Sequence, residues 1–237
     1  LVVSKVNRQV SADDPIKVAD NDANKWVSRG SGKLIGALDA FPVIEVAGRV
    51  CLDAGASTGG FTAVLLERGA TRVFSVDVGY GQLAWSLQQD PRVVVMDRFN
   101  VRNLTPSDLD DTPDLVVADL SFISLRTVLP ALRGSVAEAS DFVLMVKPQF
   151  EVARSDASRG RGVIRSPKLW TEALESVVEA AGEHGLTPLG ATVSGVRGAK
   201  GNTEFFVRLG LPGNARTASP SGWMKDLVES AGGDENE

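Results

Sequence analysis

Three groups of side chains stand where chemistry could be done. The first is an acid ahead of a glycine-rich turn, Asp53-Ala54-Gly55-Ala56-Ser57-Thr58-Gly59-Gly60-Phe61-Thr62, between the apolar run Val50-Cys51-Leu52 and a helix-like run from Phe61 to Arg68. Glycines let the backbone turn sharply and approach a ligand, and a helix N-terminus presents unpaired N–H groups; an α/β sheet receives a nucleotide-like cofactor in this way. The second group is Asp77 and Asp97, at the ends of the apolar runs from Arg72 and from Val93. The third is Lys33, Asp119, Lys147 and Glu204. Lys147 follows Leu144-Met145-Val146, and lysine is seldom placed after such a run unless its amine reaches out of the strand end. Glu204 shares one strand face with Phe206, where a carboxylate prefers a cationic partner.

The elements that must position these groups alternate along the chain. Strands are predicted at Val50–Asp53, Arg72–Asp77, Val93–Met96, Asp114–Asp119, Phe142–Lys147, Thr187–Ser194 and Glu204–Leu209. Helices are predicted at Lys33–Phe41, Phe61–Arg68, Gly81–Gln88, Ser124–Gly134 and Pro167–Gly185. Such alternation argues for a mostly parallel sheet covered on both faces. The last two strands are separated only by a loop and should pair as an antiparallel hairpin at one sheet edge. A seven-stranded sheet ending this way resembles the Rossmann-like class I S-adenosylmethionine (SAM)-dependent methyltransferase fold. The strand ends carrying Asp53, Asp77 and Asp97 then lie on the binding edge of the sheet. Each acid alone also fits a strand-end turn or a helix cap; together with the glycine turn they are arranged for a ligand.

The cofactor follows from the turn. A dinucleotide site needs G-x-G-x-x-G, and Gly55-Ala56-Ser57-Thr58-Gly59-Gly60 lacks the second glycine. The D-x-G-x-x-x-G pattern instead resembles the turns of SAM enzymes. There Asp53 would accept from the methionine amino group, Asp77 would receive the ribose hydroxyls, and Asp97 would read the adenine amino group. The fourth strand ends Ala118-Asp119-Leu120-Ser121-Phe122, without the Asn/Asp-Pro-Pro-aromatic element of amino-methylating enzymes. The lone Cys51 sits inside the first strand, the wrong place for the nucleophile of base-carbon methylation. An oxygen acceptor remains.

Lys33, Asp119, Lys147 and Glu204 resemble the Lys-Asp-Lys-Glu tetrad of the FtsJ-like RNA ribose 2′-O-methyltransferases. Within that group the chain is similar to the TlyA family across residues 25–210. The match is carried by Trp26-Val27-Ser28-Arg29-Gly30, residues 53–62, Asp77-Val78-Gly79-Tyr80-Gly81-Gln82-Leu83, residues 118–124 and residues 146–151. Ser31-Gly32-Lys33 stands where the family often has Ala-His-Lys. The resemblance implies methyl transfer from SAM to a ribose, in the family a cytidine, of 16S and/or 23S ribosomal RNA. It also implies cofactor contacts along residues 55–61, that is Gly55, Ala56, Ser57, Thr58, Gly59, Gly60 and Phe61, and at Val78 beside Asp77. A ribose hydroxyl is a poor nucleophile near neutral pH and must lose its proton as it attacks. Burial and a neighbouring cation favour a neutral lysine amine, whereas adjacent carboxylates favour the ammonium. Lys147 is then the base or hydroxyl steerer, aligned by Asp119, with Lys33 and Glu204 positioning the ribose and its phosphate.

RNA would be met by Arg154, Arg159, Arg161 and Arg165 in the Gly/Ser-rich stretch after the fifth strand, by Arg197 and Lys200 in the last loop, and by Arg29. The stretch reads as a mobile lid or as a solvated loop whose arginines pair with nearby acids. Trp26 reads as a base-stacking platform or as a linker side chain packed on the domain. The net charge of −5 over 237 residues confines any RNA site to a local patch. A single histidine, His184, leaves little scope for a metal site or a Ser–His triad, and no apolar run approaches a membrane span. With no secretory signal, a cytoplasmic protein is expected. Family members also carry haemolysin names, so a membrane-lytic protein is one alternative; a non-catalytic SAM-binding RNA protein is another.

The domain layout expected is a truncated tail of an N-terminal RNA-binding domain of the ribosomal-protein-S-four type (1–22) and a linker (23–32). The methyltransferase domain (33–212) and a polar C-terminal segment (213–237) follow.

Overall fold

A computed structural model describes residues 26–211 and 222–233. The expected 1–22 tail lies outside these residues. Seven strands form one sheet: β1 (Val50–Ala54), β2 (Arg72–Val76), β3 (Val93–Met96), β4 (Leu115–Ala118), β5 (Asp141–Val146), β6 (Thr187–Val193) and β7 (Phe205–Gly210). Their order is β3-β2-β1-β4-β5-β7-β6. The first five pair in parallel; β7 runs antiparallel to both β5 and β6. The hairpin at the sheet edge is as expected, and β7 is its inner strand.

The helices are α1 (Gly30–Ala40), α2 (Gly60–Glu67), α3 (Trp85–Gln88), α4 (Leu125–Gly134), α5 (Pro148–Glu151), α6 (Arg154–Arg159), α7 (Pro167–Glu183) and α8 (Trp223–Gly233). Alternate strand residues feed two cores, which is why the central strands read as unbroken apolar runs. On one face Phe142, Leu144, Phe205 and Val207 pack with Leu129 of α4, Trp170 and Leu174 of α7 and Val228 of α8. On the other, Val143, Met145 and Phe206 pack with Leu34 and Leu38 of α1 and Phe61 and Leu65 of α2. Trp26 packs against this second core, the linker reading of that residue.

Three elements differ from expectation. α1 starts three residues early, at Gly30, inside the expected linker. The helix expected over Gly81–Gln88 is a single turn from Trp85, because Asp97 Oδ2 accepts the Gly81 N–H (2.8 Å) and holds the preceding residues as a turn. The stretch after β5 contains two short helices, α5 and α6, rather than an open loop. Pro148 starts the first, with its fixed φ and missing donor suited to that position.

Candidate active site

The loops at the C-terminal edge of the parallel strands bring the predicted residues together. Gly55 leaves β1 with φ +91°, and a Cβ there would lie 2.7 Å from the Asp119 carbonyl oxygen; only glycine lets these two turns touch. Asp77, just past β2, accepts the N–H groups of Ser57 (2.8 Å) and Gly79 (2.7 Å), tying the first turn to the second. Its carboxylate and exposed Val78 line a cleft of about 530 Å³ with Phe99, Asn100, Leu120 and Phe122.

Two acids sit differently from the sequence reading. Asp53 has no exposed surface, and Thr62 donates to its Oδ2 at 2.6 Å. It lies under the turn and shapes it, out of reach of a ligand amino group. Burial pushes its carboxyl up to about 7 against the Thr62 hydrogen bond, with the negative charge of Asp119 adding to the rise. Asp97 is half-buried and accepts the Gly81 N–H through Oδ2, and Phe99, Asn100 and Arg102 line that end of the cleft.

Lys33, Asp119, Lys147 and Glu204 converge, although 171 residues separate the first from the last. Lys147 and Asp119 lie one residue past β5 and β4, which pair in parallel, so their side chains emerge from adjacent strand ends. Glu204 precedes β7, and the antiparallel pairing of Val146 with Phe205 sets it beside Lys147. Lys147 Nζ is 2.5 Å from Asp119 Oδ1 and donates to Ser121 Oγ at 3.1 Å. Lys33, on the first turns of α1, donates to Glu204 Oε2 at 2.6 Å and lies 3.7 Å from Asp119 Oδ2. The four form a chain of alternating charge, Lys147–Asp119–Lys33–Glu204. All are largely buried, Glu204 with 2% of its side chain exposed and Asp119 the most open at 19%.

The tetrad opens on a second cleft of about 290 Å³, lined by Arg29, Lys33, Asp119 and Lys147 together with Ala56, Thr58, Gly60 and Phe61 of the turn. The two clefts share Gly55, Ser57, Asp119 and Ser121. A ligand in the first therefore meets one in the second beside the Lys147 amine. Gly59 lines neither; it precedes α2 with φ +95°.

Several residues here were not singled out from sequence. Ser121 holds the Lys147 amine, and Gln149 Nε2 donates to Glu204 Oε1 at 3.3 Å. Glu151 is 6% exposed and accepts from Ser124 Oγ (2.5 Å) and the Leu125 N–H (2.7 Å), bracing the loop after β5 against the loop after β4. Burial raises its carboxyl, against these hydrogen bonds. Phe122 exposes 90% of its surface at φ +64°, its ring 5.3 Å from that of Phe150. Only its unusual exposure identifies it, and exposure is not written in sequence. Five non-glycine residues have positive φ among the described residues: Ser57, Arg98, Phe122, Arg161 and Lys200. All lie in loops on this rim, where backbone strain gathers in functional sites.

The basic residues divide. Arg29 and Arg197 line the tetrad cleft, and Arg197 also donates to Thr203 Oγ1. Arg159, Arg161, Arg165 and Lys200 line a neighbouring hollow, with Arg159 bound to Asp156. Arg154 opens α6 and lines none of these clefts. Among the described residues no cluster of His, Cys, Asp and Glu could hold a metal. Cys51 is buried, and burial beside the negative Asp114 pushes its thiol up to about 12, so it is inert.

The strand order and reversed β7 define a class I methyltransferase fold, and the clefts lie on its ligand edge. Residues 26–211 match the model of the FtsJ-like methyltransferase family, and the chain belongs to that family. It is 54% identical over 200 residues to the 16S/23S rRNA (cytidine-2′-O)-methyltransferase TlyA of Mycobacterium tuberculosis, covering 84% of this chain and 74% of that one. YqxC of Bacillus subtilis, named for rRNA methylation, is 41% identical over 97% of this chain and 82% of its own. The crystal structure of a haemolysin-named protein from Lactococcus lactis is 39% identical, with a TM-score of 0.81 over 88% of this chain and 99% of that one.

Proposed function

We propose that this protein transfers a methyl group from SAM to the 2′-hydroxyl of a cytidine ribose in 16S and/or 23S ribosomal RNA. The observation that carries this reading is the meeting of two clefts at Gly55, Ser57, Asp119 and Ser121, with the Lys147 amine at their junction. The residues fit the donor: the larger cleft has room for a nucleoside, Asp77 stands at its wall, and Gly55 lets the turns after β1 and β4 meet along it. When bound there, SAM supplies an electrophilic methyl on a sulfonium.

The remaining chemistry belongs to the protein. Lys147, held by Asp119 and Ser121, orients the ribose hydroxyl and, in its neutral amine form, takes the hydroxyl proton as the oxygen attacks. Lys33, fixed by Glu204, offers a cation to the adjacent phosphate. Phe122 offers an exposed ring on which a base can stack once it leaves its helix. An acceptor in ribosomal RNA puts the enzyme in the cytoplasm with the ribosome. Haemolysin names among the relatives are what suggest the membrane-lytic alternative; among the described residues no helix is long and apolar enough to cross a membrane. The intact lysine–carboxylate tetrad weighs against a non-catalytic binding protein.

Primer-extension mapping of 2′-O-methylation on ribosomal RNA, with and without the protein, tests the reading. At least one cytidine should lose its stop when the protein is absent. Identical maps would refute it.

A further inference from the structure

The two loops flanking the tetrad are joined by one buried amide. Asn202 is 3% exposed. Its Oδ1 accepts the Ile164 N–H at 3.0 Å, and its Nδ2 donates to Gly162 O at 2.8 Å and to Ala199 O at 3.1 Å. A carboxamide both accepts and donates twice, so one side chain satisfies backbone groups of the stretch after α6 and of the β6–β7 loop. Both ends are anchored. Ile164 O accepts the indole N–H of fully buried Trp170 at 2.9 Å, and the Asn202 carbonyl accepts from Gly198, which packs on the Glu204 carboxylate.

These stapled loops flank an open hollow of about 550 Å³ lined by Arg159, Arg161, Arg165 and Lys200, all exposed. Lys200 donates to the Arg161 carbonyl across it at 3.4 Å, and both residues hold left-handed backbone (φ +57° and +53°). Arg159 is committed to Asp156. Arg161, Arg165 and Lys200 have no acidic side chain within ion-pair reach among the described residues. In a protein of net charge −5, three cations without an acidic partner gathered at one hollow make a local positive patch suited to an anion. The hollow adjoins the tetrad cleft through Gly198 and Ala199, neighbours of Lys200.

We propose that this hollow binds the phosphate backbone of the RNA strand flanking the methylated ribose, and that Asn202 is the positioning residue that locks its two walls together. The proposal rests on an RNA acceptor, as argued above. Asn202 touches no RNA; it fixes the spacing between cations that do.

The test uses the full chain, intact ribosomal subunits as acceptor, and filter binding to a ribosomal RNA transcript across a salt series. Asn202→Ala should raise KM for subunits about tenfold, leaving kcat and SAM affinity within about twofold of wild type. Combined Arg161→Gln and Lys200→Gln should do the same and lower the salt slope of RNA binding by about 1.5. In that background Asn202→Ala should add less than twofold, because its effect passes through those cations. Fully additive losses, or a fall in kcat at unchanged KM, overturn the proposal. Should Asn202→Ala not fold, the surface variant decides alone, and an unchanged KM and salt slope overturn the hollow as a phosphate site. A wild-type protein that methylates no subunit refutes the proposed function, while the transcript-binding comparison still tests the hollow.

Discussion

The strand pair β5–β7 carries a buried ion network at each end, and the two are built from different cations. At one end Asp141 is gripped on both oxygens, by Arg208 Nη2 and by Arg49 Nη1, each at 3.0 Å. At the other, Lys147 and Lys33 face Asp119 and Glu204. Antiparallel pairing makes both possible: Val143 lies opposite Arg208 and Val146 opposite Phe205, so each strand contributes one charge to each end. An arginine does not give up its proton and holds a carboxylate in a fixed fork. A lysine is a point charge that can exchange a proton and change partners. The arginine end is closed and ties neighbouring strands together; the lysine end opens on a cleft, where the proposed function puts the reaction.

The sharpest way to break this contrast is to remove one member from each end. Lys147→Ala should lower single-turnover methyl transfer by about a thousandfold. Lys33 remains beside Asp119, so stability should change by no more than about 1 kcal/mol. Retained turnover with SAM still bound would remove Lys147 from the chemistry. At the other end Asp141→Asn strands Arg208, which is 5% exposed, without its counter-charge. Denaturant unfolding should show a loss of about 3 kcal/mol, with the rate per folded molecule within about twofold of wild type. A rate loss at full stability would mean that the two ends are coupled.

How much of this was legible in sequence follows from range. The strand–helix alternation, the glycine turn and the tetrad are visible because each is written in local pattern or in lysines and acids beside apolar runs. The partners are not. Asp53 and Asp97 both read as ligand-facing from their strand-end positions, yet Asp53 is fully buried against the Thr62 hydroxyl and Asp97 also ties down the Gly81 N–H. Asn202, Ser121 and Gln149 carry no periodicity or charge signal; their roles exist only once loops distant in sequence meet. Arg208 reads as one more residue on the Glu204 face of its strand, and only the register with β5 reveals its carboxylate.

A smaller effect sharpens the lysine end. A Cβ added at Gly198 would lie 2.1 Å from Glu204 Oε1, and that carboxylate is 2% exposed with little room to yield. Gly198 has φ −71°, so Gly198→Ala carries no backbone strain of its own. It should push Glu204 off Lys33 and lower methyl transfer about tenfold, equivalent to about 1.4 kcal/mol. Double substitution with Glu204→Gln should be non-additive. Additive losses would show that Gly198 acts on the substrate rather than through Glu204.

Asp53 belongs to neither end: it is a buried carboxyl with no cation, its Oδ1 without a partner among the described residues. Its folded value of about 7 lies above the unfolded value of about 4, so the folded protein binds this proton more tightly. The resulting stabilisation is complete below pH about 4 and is lost as pH rises towards 7, at roughly 1 kcal/mol per pH unit. Asp53→Asn keeps the shape and removes the titration. The stability difference between wild type and Asp53→Asn, followed by chemical denaturation from pH 5 to 7, should therefore shift steadily against the wild type. If that difference stays flat, Asp53 stays ionised when buried. The hydroxyls of Thr62 and Ser75 would then stabilise that charge as effectively as the arginines stabilise theirs.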